Sequence, residues 1–215
     1  SIAGDETRGK FAAALIERER PYFVTVYLTA LDHEQHEKGP DTQSAYSILK
    51  RIDAIVGRLI AVQTRAHPDS VIAVASDHGF SKVDTEINLY RAFIDEGLIT
   101  LGAEGKIKEW LASPWNSGGS SAIMLAKPDD VALTKRVKSL LDRLKADPKN
   151  RIAKIATAAD IKAMGGNPEA AFYVQLELNA YASGFKGKDV PLVGPSGSKG
   201  THGYFPNEPA MRSSF

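Results

Sequence analysis

Apolar residues recur along this chain in two rhythms, and each change of rhythm marks an element. Over residues 4–20 Phe11, Ala14, Leu15 and Ile16 make an apolar stripe among charges, which predicts an amphipathic helix ended by Pro21. Residues 22–31, YFVTVYLTAL, are aromatic and β-branched and predict a strand. A polar stretch, DHEQHEKGP, follows. Asp41 or Thr42 then caps a long predicted helix with Ala45, Ile48, Leu49, Ile52, Ile55, Val56, Leu59 and Ile60 at helical spacing. The Pro68-Asp69 turn closes it, and the apolar run 71–76 predicts a second, buried strand.

Strand, long amphipathic helix and uniformly apolar strand is the pattern of a βαβ crossover. It predicts an α/β fold built on a mostly parallel sheet with helices on both faces. Farther on, residues 88–97 predict a short helix and 121–126 (SAIMLA) a strand. Residues 129–147 predict another amphipathic helix, with Val131, Leu133, Val137, Leu140, Leu141 and Leu144 inward. Strand-like runs at 151–156 and 171–178 flank a short helix near 158–164 that stops at Gly165-Gly166. From residue 182 onward the chain is dense in Gly, Pro and Ser and is expected to be loop. No repeat or linker divides the sequence, so residues 1–215 are expected to form a single α/β domain.

Composition narrows the function classes. With 215 residues, 43% hydrophobic and 25% charged, the chain has the make-up of an ordinary globular protein. A net charge of +1 with no basic run gives no nucleic-acid footprint. No stretch has the length of a membrane span and the first residues carry no signal-peptide pattern. The absence of cysteine excludes a thiol nucleophile, a thiolate zinc site and a disulfide framework. GxSxG is missing, which argues against an α/β-hydrolase triad. Gly184-Phe-Lys-Gly187-Lys188 is followed by Asp189 where a phosphate-binding loop needs Ser or Thr.

Chemistry concentrates where the predicted strands end. In open α/β sheets ligands collect at the carboxyl ends of strands, and Asp32 and the Asp77-His78 pair close the two crossover strands. Asp32-x-x-x-His36 and Asp77-His78 offer the oxygen and imidazole ligands that zinc and similar divalent ions accept. His33 and Glu34 compete with them as ligands. His202 lies in the glycine-rich GTHG segment, where the backbone bends freely to present a side chain. His67, before Pro68, is expected at a helix C-terminus on the surface. Trp110 and Trp115 flank a Ser-Pro turn, where loop packing is favoured over the border of a substrate cleft.

The segments YLTALDHEQHEKGP, ASDHGF and GTHGYFPNEPAMRSSF, in that order, resemble the type I phosphodiesterase/nucleotide pyrophosphatase family of the alkaline phosphatase superfamily. The resemblance runs over nearly the whole chain. SDHG alone would not separate this family from sulfatase-like or phosphoglycerate-mutase-like relatives. Asp-x-x-x-His-x-x-Gly-Pro together with Thr-His-Gly-Tyr narrows it.

The resemblance implies an alkaline-phosphatase-like fold and hydrolysis of phosphodiester or pyrophosphate bonds of nucleotides at two divalent ions, usually zinc. It implies that Asp32, His36 and His202 hold one ion, and that Asp77 and His78 supply two ligands of the other. Tyr27 matches an aromatic that stacks on the leaving nucleoside; as a residue it reads equally as a core aromatic of the first strand. The family's Thr or Ser nucleophile and a further Asp ligand have no counterpart upstream of Asp32. The chain is therefore expected to be an internal or C-terminal portion of a larger catalytic domain, inactive alone and holding one ion or none. The expected partner is a small phosphodiester or nucleotide, and the expected location, on family resemblance, is periplasmic or secreted. Two other readings stand beside this one. One is a phosphomonoesterase, phosphonate hydrolase or sulfatase-like enzyme of the same superfamily. The other is a non-catalytic α/β module that binds a cation or partner.

Overall fold

Helices make up most of the first of two units that the chain forms in a computed structural model describing residues 1–215. This unit comprises Ser1–Asp77 with Ser198–Gly200 and Ser213–Phe215. Helix α1 (Ile2–Glu19) ends on Arg20 in a left-handed conformation just before Pro21, as the sequence predicts. Helix α3 (Gln43–Ala66) starts at Thr42, whose side chain accepts the Ala45 N–H. Of the two predicted caps, Thr42 is the one used. α1 packs on α3. The approach depends on Gly9, because a Cβ there would lie 2.6 Å from Ile55 Cγ2.

The predicted crossover strands differ from what forms. Residues 22–29 and 71–76 join no ladder, and Tyr22, Phe23, Val71 and Val74 are exposed. A strand needs a hydrogen-bonded neighbour, and this unit supplies helices instead. The end of the first run is helical: α2 spans Ala30–Lys38.

The second unit, His78–Gly197 with Thr201–Arg212, contains the sheets. In chain order it holds β1 (Ser81–Ile87), α4 (Leu89–Asp95), β2 (Ile99–Leu101), β3 (Ile107–Trp110), β4 (Ala112–Asn116) and β5 (Ser120–Leu125). Then come α5 (Val131–Ala146), β6 (Ile152–Thr157), α6 (Ala158–Ala163), β7 (Phe172–Leu176), β8 (Asn179–Ala182) and β9 (Val193–Pro195). The elements predicted near 88–97, 121–126, 129–147, 151–156, 158–164 and 171–178 all form, within a few residues.

The fold is α/β, but its sheets are mixed rather than mostly parallel. β1 pairs parallel with β8 and antiparallel with β9. The order β4-β5-β7-β6 is antiparallel throughout. The short turn from β4 to β5 permits only an antiparallel pair. The α5 crossover delivers β6 parallel to β5, yet β7 lies between them and converts both contacts to antiparallel. α5 buries Leu133, Val137, Leu140, Leu141 and Leu144 in a core with Phe93, Ile123, Val174 and Leu176. No helix of the chain is long and apolar enough to cross a membrane.

Candidate metal centre

α2 sets the geometry in the first unit. Four residues along a helix return to the same face, so Asp32 and His36 stand one above the other, with Asp32 Oδ1 3.7 Å from His36 Nε2. The neighbouring candidates are engaged elsewhere. His33 Nε2 faces Glu37 at 3.5 Å, and Glu34 accepts the Ser44 hydroxyl.

The orientation of His36 is fixed from behind. Its Nδ1 lies 2.9 Å from the Gly200 carbonyl, which can only accept, so Nδ1 carries a proton and, in the neutral tautomer this selects, Nε2 holds the lone pair. The His36 carbonyl in turn accepts the Lys199 N–H at 2.8 Å and the Ser198 hydroxyl at 2.9 Å. A histidine whose second nitrogen is tied to a carbonyl is the arrangement metal-ligating imidazoles adopt.

Asp77 belongs to the same unit. Its Oδ2 accepts the Tyr27 hydroxyl at 2.9 Å, and its carbonyl accepts the Ser213 hydroxyl at 3.0 Å. Tyr27 is 64% exposed, so it is not the core aromatic that one reading of the sequence allows. Its phenol is pushed above the ordinary value by the hydrogen bond to Asp77, then by the Asp77 charge, slight burial and the Asp32 charge. Tyr27 thus stands in the negative field of both carboxylates, a field that favours a cation.

In the second unit the His78 and His202 rings stack, with centroids 3.8 Å apart and planes 17° from parallel. Phe80 meets His202 edge-on at 5.4 Å. His78 Nδ1 lies 3.0 Å from the Gly79 carbonyl, so the neutral tautomer selected here also has its lone pair on Nε2. The backbone around His202 is held by the turn between β4 and β5. The His202 carbonyl accepts the Gly119 N–H at 2.7 Å, and Gly203 follows at φ 78°. A Cβ on Gly203 would fall 1.7 Å from the Ser117 carbonyl oxygen, so only glycine fits there.

Several partners were not visible in the sequence pattern. The helical setting of Asp32 and His36 was not expected, although their spacing of four and the same spacing of His33 and Glu37 are its signal. The Ser198-Lys199-Gly200 support of His36 left no signal, because it is made by residues distant in sequence. His67 is the C-cap of α3, as expected. Trp110 and Trp115 lie on β3 and β4 rather than in a loop.

The family model described as type I phosphodiesterase / nucleotide pyrophosphatase matches residues 3–204. The chain belongs to this family. No curated protein sequence matches the chain. Among solved structures, murine ectonucleotide pyrophosphatase / phosphodiesterase 5 is similar at 17% identity and TM-score 0.63. An inactive form of the murine protein in complex with AMP gives the same values. The human protein of that name is similar at 16% identity and TM-score 0.65. Each comparison covers 97% of this chain and 50% of the other, so the chain spans about half the length of these structures. The likeness establishes a shared alkaline-phosphatase-like α/β fold.

Proposed function

We propose that these residues form the metal-binding part of a phosphodiester or pyrophosphate hydrolase acting on nucleotides. The carrying observation is the pair Asp32 and His36 on one face of α2, with His36 Nδ1 committed to the Gly200 carbonyl. The donor chemistry fits a divalent ion such as zinc, which takes carboxylate oxygen and neutral imidazole nitrogen. In this reading, with the two ions that the family resemblance implies, Asp32, His36 and Asp77 offer ligands in the first unit and His78 and His202 offer imidazoles in the second. When bound, such a pair of ions supplies Lewis acidity to the phosphoryl oxygens and favours in-line displacement.

The chain's own groups do the rest. The Gly200 carbonyl keeps the His36 lone pair on Nε2. The Tyr27 hydroxyl, donated to Asp77, holds that carboxylate's orientation, and the exposed Tyr27 ring is offered to a nucleoside base. Base stacking on an aromatic is worth about 1–3 kcal/mol. The AMP complex of the murine relative supports a nucleotide as the bound species. The ectonucleotide relatives also support a periplasmic or secreted setting.

Titration of the chain with zinc, followed by AMP, tests the reading. Zinc is expected to bind the wild type and to fail with His36→Ala. AMP is expected to bind only the zinc-loaded form, and Tyr27→Ala to weaken it by about ten- to hundredfold, the stacking energy expressed as affinity. Wild-type zinc affinity retained by His36→Ala would sink the metal assignment. AMP binding unaffected by Tyr27→Ala would remove the stacking role.

A further inference from the structure

α2 carries two of the proposed ligands, yet it buries only Ala30. A nine-residue helix with one buried side chain gains little from packing, and isolated helices of that length do not hold together in water. Its direction must be set by polar ties at its ends. At the C-terminal end these are the bonds from Ser198 and Lys199 to the His36 carbonyl. At the N-terminal end Thr29 occupies the capping position but makes no side-chain capping bond.

The cap comes from another helix. Asp5 of α1 is fully buried, and its Oδ2 accepts the Ala30 N–H at 2.8 Å while its Oδ1 accepts the Thr29 N–H at 3.2 Å. Arg8, one turn along α1, pairs with the same carboxylate and reaches the Thr29 hydroxyl at 3.4 Å. A buried carboxylate is tolerated only when paired and hydrogen-bonded, and this one has both kinds of partner. It also places negative charge at the positive end of α2.

We propose that Asp5 is a positioning residue for the metal site: it caps α2 in trans and so fixes the first turn, which contains Asp32, against α1. The assignment rests on the proposed role of Asp32 and His36. Without Asp5 the amides of Thr29 and Ala30 lose their acceptor, the first turn frays, and Asp32 no longer keeps its place over His36.

Zinc affinity measured by competition with a chromophoric chelator, on wild type and four variants of the full chain, tests this. Asp5→Ala is expected to weaken zinc binding by about tenfold, the low end of what loss of an outer-sphere partner costs. Asp5→Asn, which keeps one acceptor oxygen, is expected to fall between it and wild type. Amide hydrogen exchange at residues 30–33 is expected to speed up in the same order. Ile55→Val serves as the packing control: it lowers the melting temperature and leaves zinc affinity unchanged. His36→Ala separates the two layers of argument. If it binds zinc like wild type, the site assignment fails and the Asp5 role falls with it. If it loses zinc while Asp5→Ala and Asp5→Asn do not, the positioning role alone is overturned. Should Asp5→Ala not fold, Asp5→Asn decides by the same comparison.

Discussion

Glu86 shows what single residues settle in the second unit. It lies buried near the C-terminal end of β1, where Tyr181 donates its hydroxyl at 2.9 Å and Lys186 reaches both carboxylate oxygens at 2.7 Å. Desolvation alone would raise its pKa, but the bonds from Lys186 and Tyr181, the Lys186 charge and the Gly197 amide outweigh it and leave it below the ordinary value. Tyr181 is pushed up to about 12 by burial and by its bond to Glu86. The signs follow from these directions. The Glu86 contribution is present above its unfolded pKa near 4.5 and is lost as pH falls through the lower folded value. The Tyr181 contribution is present below 10.0 and is lost as pH rises toward about 12. Glu86→Gln is therefore expected to lower stability at neutral pH by about 1–3 kcal/mol and to flatten the acid side of the stability profile. Urea melts from acid to alkaline pH check both, and an unchanged acid limb would refute the assignment. The run GFKGKD, which fails as a phosphate-binding loop, thus contributes Lys186 to a structural ion pair. Residue types at Asp32, His36, Asp77, His78 and His202 were legible as candidate ligand chemistry because such side chains are uncommon together just after apolar runs and in a glycine-rich turn. Asp5 was not legible, since an acid in the first turn of a helix looks like any solvated charge.

At the scale of elements, the helices with a continuous apolar stripe were read within a few residues: α1, α3 and α5. Each declares its period in its own sequence. α2 was missed because DHEQHEK has no stripe, and it is held at its ends by Asp5 and the 198–199 segment. The runs 22–31 and 71–76 were misjudged for the opposite reason. β-branched composition states that a segment suits a pleated surface, not that a neighbour is present to pair with it. Packing between α1 and α3 gives a direct test. Gly9→Ala would place a methyl 2.6 Å from Ile55 Cγ2, a branched side chain with little freedom to turn away. It is expected to destabilise the chain by about 1–3 kcal/mol despite alanine's higher helix propensity. A denaturation midpoint that rises instead would show that the two helices are not in this close contact.

For the whole molecule, a ligand that binds only the folded chain must stabilise it. Zinc at about a hundred times its dissociation constant is expected to add about 2.7 kcal/mol, seen as a higher melting temperature that a chelator reverses. His36→Ala is expected to show no such shift; a shift of wild-type size would mean that zinc stabilises through other residues. The sequence by itself determined the α/β class, the positions of most elements and the residue types of the candidate ligands, since periodicity and side-chain chemistry are local properties. Tertiary structure decided which strands pair and in which direction, because the partner of a hydrogen-bonded edge is chosen by the rest of the fold. It also decided that Asp32 and His36 share a helical face, that the Gly200 carbonyl selects the His36 tautomer, and that Asp5 caps the helix bearing both. The Gly200 and Asp5 contacts join residues far apart in sequence, and no local pattern encodes them.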